Sequence, residues 1–177
     1  KLSNPKTYVN GKFIWPVDPA NGKYRYVYEH DGIDIMTYMG TPIYSPVDGQ
    51  LIYSEWGHTV NLGSDETAYS LAIKINNPLV YEGKSYDTIY LTHMSGIIYR
   101  CRANACNKSI SKGDLIGFVG TAAGSAESSG YAAHLHMTIR YADSNGDLHG
   151  LTTSDIQKLY NLNCGSSCKD ISIKAGG

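Results

Sequence analysis

Several features that would assign this chain quickly are missing from it. No apolar run approaches the ~20 residues of a membrane-crossing helix, so no membrane span is expected. Charge bias is missing as well: 15 Lys and Arg against 16 Asp and Glu leave a formal net charge of -1. Nucleic acid and anionic membranes are therefore not expected partners. The GxxxxGK[ST] phosphate loop is absent, and so is the HExxH helix of many zinc peptidases. There is no heptad, no internal repeat, and no charge run or Pro-rich linker to mark a second domain. Phe and Trp are scarce, 2 each against 15 Tyr. Tyrosine suits half-buried strand positions, where its ring packs and its hydroxyl stays wet. A Tyr-lined cleft for a polar polymer is the sharper alternative. The chain opens on Lys1 without a signal-like segment, which is expected of a mature or excised piece.

What is present describes one mostly-β domain. At 177 residues, 42% of them hydrophobic and 18% charged, the chain can bury a real core and is not disordered. Turn signals recur, and the runs between them are rich in Val, Ile, Thr and Tyr. Strands are predicted over Lys23–Tyr28, Ala68–Ile75, Asp87–His93, Leu115–Val119 and Ala133–Tyr141. Thr41–Pro46 and Gln50–Ser54 read as two strands joined by a tight turn at Asp48-Gly49. Asn145-Gly146 reads as a second hairpin turn, leading into Asp147–Leu151. Asn76–Ser85, with Asn-Asn-Pro and Glu-Gly-Lys, is predicted to be a loop. Gly120–Gly130 (GTAAGSAESSG) is a small-residue loop. One short helix is expected, capped by Thr153 or Ser154 and running to Leu162.

The candidate chemistry lies in six histidines: His30, His58, His93, His134, His136 and His149. In an extended segment, His134 and His136 project from one face while Leu135, Met137 and Ile139 project from the other. Extended in the same way, His30, Gly32 and Asp34 share a face, with Ile33 and Ile35 behind them. Gly32 leaves space above the backbone for an ion. Two imidazoles and a carboxylate are a donor set typical of catalytic zinc, which keeps a fourth position for water. Histidine-x-histidine alone is weak evidence, because cupins and carbonic-anhydrase-like folds also use it. The cupin pattern wants a downstream Glu, and Met137, Thr138, Ile139 and Arg140 follow instead. His58 and His149, taken singly, read as satisfied polar residues.

The order of these clusters carries a resemblance. EHDGIDIMTYMGTPIYSPVDGQLIYSE is similar to the first signature of the lysostaphin/LytM/LasA-type zinc endopeptidases, His-x-Gly-x-Asp followed by Gly-Thr-Pro. YDTIYLTHMSGI resembles their segment bearing a further histidine, and KGDLIGFVGTAAGS followed by HLHMTIR resembles their ending. The resemblance spans about Phe13–Tyr141. The chain departs from the family pattern at Ala132-Ala133, where Gly-Pro is usual, and at Met137, where Phe is frequent. The resemblance implies a single-domain antiparallel β-sheet core with long cleft-forming loops. Residues 1–141 would form that core, with a lead-in over 1–12. Residues 142–177 would add a hairpin, the short helix and a Cys pair to the same domain. It further implies one Zn2+ per chain held by His30, Asp34 and His136, with His93 and His134 as catalytic histidines. The loops Asn76–Lys84 and Gly120–Gly130 would wall the cleft.

The implied activity is hydrolysis of peptide bonds in bacterial cell-wall peptidoglycan, outside the cytoplasm, by a monomer. Two other readings stand beside it. One is a non-catalytic relative that binds or activates a cell-wall hydrolase; the other is a structural metal-binding domain. Four cysteines permit three pairings. In an oxidising compartment the local pairs, Cys101 with Cys106 and Cys164 with Cys168, are expected. A four-cysteine zinc site and free thiols are the alternatives.

Overall fold

The structure, a computed structural model, describes residues 13–18, 23–25, 31–59, 66–121, 133–160 and 170–172. Its strands are β1 (Lys23–Arg25), β2 (Ile33–Met36), β3 (Pro42–Tyr44), β4 (Gly49–Trp56), β5 (Tyr69–Tyr81) and β6 (Lys84–Ile97). They continue as β7 (Ser109–Ile110), β8 (Leu115–Val119), β9 (His134–Ala142), β10 (Leu148–Gly150) and β11 (Asp170–Ser172). One helix, α1 (Thr153–Leu159), lies between the last two strands. The strands form one sheet in the order β11-β1-β2-β9-β6-β5-β4-β7, with β10 on β9, and β8 joining β6 to β3. Every pairing is antiparallel. This is the mostly-β, antiparallel architecture expected from the sequence.

Alternation along the central strands builds the core. Ile33 opposes Met137, Met137 opposes Leu91, and Leu91 opposes Leu71. A second row runs through Ile139, Ile89, Ile73 and Leu51. All eight side chains are buried, and truncating any one to Ala is worth about 2–5 kcal/mol at such positions. Trp15 and Tyr160 meet edge to face at 4.8 Å, and the Tyr160 hydroxyl donates to Ile14 O. The segment before the sheet is thereby fastened to α1.

Several local expectations are corrected. Asp48-Gly49 is not the turn of a β3–β4 hairpin: β3 pairs with β8, and β4 pairs with β5 and β7. Gly49 is a strand residue whose missing Cβ lets Lys74 O and the Ile73 side chain press on its backbone. Asn76–Ser85 is not a loop either. β5 runs on to Tyr81 and turns back through Glu82 and Gly83, at φ 49° and 77°. Positive φ at both central residues is the hairpin-turn geometry that matches strand twist. The Asn-Asn-Pro sequence is absorbed in a register shift between Lys74 and Leu79. Of the predicted strand Lys23–Tyr28, the described part is β1, and residues 26–28 lie outside the described residues. The helix begins one or two residues earlier than predicted and ends at Leu159, with Tyr160 as its C-cap, short of the expected Leu162. Thr152 is its N-cap, in a capping box with Asp155.

Cys101 and Cys106 form the expected disulfide. Cys164 and Cys168 lie outside the described residues, as do residues 122–130 of the small-residue loop.

The β5–β6 hairpin is tied to α1 by Tyr81, whose hydroxyl donates to Asp155 Oδ1 at 3.1 Å. Burial first, and then this hydrogen bond to a carboxylate, push the Tyr81 hydroxyl up to about 12. A raised phenol favours the neutral form in the folded chain. The contact therefore contributes below about pH 10, where free tyrosine begins to ionise, and is lost as pH rises through about 12. Tyr81→Phe is expected to flatten the fall of Tm across that alkaline window. An unchanged alkaline slope, followed by circular dichroism, would contradict this.

Candidate active site

Pairing between β2 and β9 brings distant residues onto one face. Asp34 stands directly opposite His136, and Met36 opposite His134. Opposed residues of neighbouring strands share a face. The alternation that buries Leu135 and Met137 therefore turns Asp34, His134 and His136 to the other side. On the other edge of β9, Thr92 opposes His136.

His93 joins this group through a break in the pattern. Strict alternation would send it to the face opposite Thr92. Between the pairs Leu71–Leu91 and Tyr69–Met94, however, β5 advances two residues while β6 advances three. His93 takes up the extra residue with φ at 63°, and Met94 returns to the core. This β-bulge re-aims one side chain. The His93 ring then lies 5.0 Å from that of His134 and 5.9 Å from that of His136.

A non-glycine residue at positive φ costs on the order of 1–3 kcal/mol and persists where its surroundings dictate it. Here Gly120 does so. Its N–H donates to His93 O at 2.7 Å, and its own carbonyl accepts from His134 N–H at 3.2 Å. One residue thus fixes the backbones of both histidines. A Cβ on Gly120 would stand 2.7 Å from Ser95 N and 2.8 Å from His93 O. Sequence reading places Gly120 only at the start of a loop; its role emerges from non-local pairing.

The polar contacts are tight. His136 Nδ1 hydrogen-bonds Asp34 Oδ1 at 2.9 Å, and His134 Nε2 lies 3.8 Å from the same oxygen. The three side chains retain 12–15% of their exposure, enough to meet solvent while being largely dehydrated. A carboxylate oxygen and an imidazole nitrogen converging in this way are the hard and borderline donors that zinc takes. With Nδ1 deprotonated, both atoms offer lone pairs, the state a metal binds. On donor chemistry these residues fit two positions of a zinc site. Among the described residues no group of three His, Cys, Asp or Glu side chains surrounds one point. The third donor offered by the sequence, His30, lies outside the described residues.

The remaining histidines have other partners. His58 stacks on Tyr53 at 3.5 Å and bonds Glu55 at 2.7 Å. His149 bonds Asp143 at 2.8 Å, and that bond holds the Asp143 carboxyl below its ordinary value. The turn of the β5–β6 hairpin also lies away from the site. Lys84 stands nine positions before His93 along β6, or about 30 Å of strand. The expectation that Asn76–Lys84 walls the cleft is corrected accordingly.

The family model for peptidase family M23 matches residues 28–148, a span that holds all five candidate residues. Among solved structures, the chain is similar to the antimicrobial peptidase lysostaphin from Staphylococcus simulans. The TM-score is 0.52 at 19% identity, over 84% of this chain and 54% of that one. It is also similar to a protein assigned as a glycyl-glycine endopeptidase LytM from Ruminococcus gnavus. There the TM-score is 0.58 at 16% identity, covering 91% of this chain and 62% of that one. At these identities the likeness shows the fold, and the chain spans little more than half the length of either structure. No curated protein matches the chain.

Gly120→Ala tests the arrangement of the two histidines. The added methyl should displace His93 from His134, and displacements near 1 Å cost about 100-fold in turnover. The far-ultraviolet spectrum of the sheet should be unchanged. Wild-type turnover in a variant carrying the methyl would refute the role given to Gly120.

Proposed function

The chain belongs to peptidase family M23, and on that premise we propose that it is a zinc-dependent endopeptidase of bacterial cell-wall peptidoglycan. It would cut peptide bonds of the stem peptide or cross-bridge, outside the cytoplasm. The observation that carries this reading is the meeting of Asp34, His136, His134 and His93 on one face, from three strands. A structural metal site would need only the ligands; two further imidazoles beside them speak for chemistry.

In this reading His30, Asp34 and His136 hold one zinc ion. When bound, zinc supplies Lewis-acid activation of water and of the scissile carbonyl. The rest falls to the protein. His134, 3.8 Å from Asp34 through Nε2, and His93, 5.0 Å from His134, serve proton transfer in this reading rather than the metal. A neutral imidazole there accepts the proton of the attacking water, and the resulting imidazolium donates it to the leaving amine. The pair can also hydrogen-bond the oxygen of the tetrahedral intermediate. The bulge at His93 and the hydrogen bonds of Gly120 set the spacing of these two rings before substrate arrives. The Cys101–Cys106 disulfide suits an oxidising, extracytoplasmic compartment.

Two groups of variants are expected to separate. Asp34→Ala and His136→Ala should lose the zinc, measured as metal per chain after gel filtration. His93→Ala and His134→Ala should keep it, while hydrolysis of purified cell walls falls about 100-fold or more. Full metal occupancy in Asp34→Ala would overturn the ligand assignment. Fully metallated wild type that leaves diverse cell walls and short bridge peptides uncut would establish the non-catalytic alternative.

A further inference from the structure

Beyond His136, β9 carries a buried cation. Arg140 is 4% exposed, and its Nη2 donates to Asp31 Oδ2 at 2.7 Å. The guanidinium lies 4.9 Å from the centre of the Tyr90 ring. Among the described residues, Nε and Nη1 have no hydrogen-bond partner, and the Asp31 carboxylate is the counter-charge of this guanidinium.

Asp31 follows His30 directly in the chain and precedes Asp34 by three positions. The same short segment is pinned from a second side. Asp31 forms an isolated bridge with Thr152, Gly32 N–H donates to Leu151 O at 3.0 Å, and Thr153 Oγ1 donates to Gly32 O at 2.6 Å. Gly150, on β10, leaves the space that the Asp31 carboxylate occupies; a Cβ there would overlap it. The Arg140 side chain is 5% exposed and that of Asp31 47%, so the pair couples a buried cation to a carboxylate at the surface, where an ion pair adds little stability of its own. What an ion pair adds is a fixed separation between two segments.

We propose that Asp31 and Arg140 are positioning residues for the zinc ligands. The pair locks the start of β2, and with it Asp34, onto the strand that carries His136. This rests on the zinc reading above. Removing groups that orient metal ligands typically costs 10–100-fold in affinity.

The test uses the full chain and two readouts, the zinc Kd by chelator competition and the Tm of the metal-free protein. Asp31→Asn leaves a buried guanidinium without its counter-charge. It should lower Tm and weaken zinc binding about 10-fold or more. Adding Arg140→Met removes the stranded charge. Tm should then recover while zinc binding stays weak, which a purely structural pair would not produce. Kd is measured at a temperature where each variant is folded; should the double variant not fold, Asp31→Asn alone decides. Wild-type zinc affinity in either variant overturns the inference and leaves the zinc reading intact. A wild type that binds no zinc overturns both.

Discussion

The register between β2 and β9 is the constraint on which the rest depends. Asp34 opposes His136 because Ile33 opposes Met137 and Ile35 opposes Leu135. Those four apolar side chains are fully buried. A slip of β2 by one residue would turn Ile33 and Ile35 out of the core and drive the Asp34 carboxylate into it. The hydrophobic rows and the polar site are therefore one specification, read from the two faces of the same strands. The 2.9 Å contact between Asp34 and His136 is the polar side of a register set by burial.

His93 shows the opposite device. It reaches the site by breaking the alternation that positions the others, and the break is held by backbone contacts from Gly120. Departures from local rules are expected where function requires them, with support from elsewhere in the fold. The Asp31–Arg140 pair belongs with Gly120 in this respect. Each joins two chain segments that carry site residues, and neither needs to touch a substrate.

Much of this was legible in the sequence where the signal is local. The imidazoles at 134 and 136, backed by Leu135, Met137 and Ile139, betray a strand with one chemical face. His30-Asp31-Gly32-Ile33-Asp34 does the same for β2 through Ile33 and Ile35. The family pattern linked these segments in order. The bulge at His93 was not legible, because it depends on how β6 counts against β5. Asp48-Gly49 looked like a turn because glycine serves both φ freedom and close approach, and only the packing of Ile73 and Lys74 tells them apart. Glu82-Gly83 carries no hairpin signal in the sequence, because glutamate is a rare residue at positive φ. Arg140 gave no sign of its pairing, since its partner lies 109 residues away in the chain.

The central claim is that Asp34 and His136 converge to hold a single metal ion. X-ray diffraction from zinc-loaded crystals, collected on both sides of the zinc absorption edge, tests it most directly. The account predicts one anomalous peak within ligand distance of Asp34 and of His136 Nδ1, with His30 completing the protein ligands and the rings of His93 and His134 beside it. A peak bound elsewhere, or one ligated by His134 in place of His136, would contradict it.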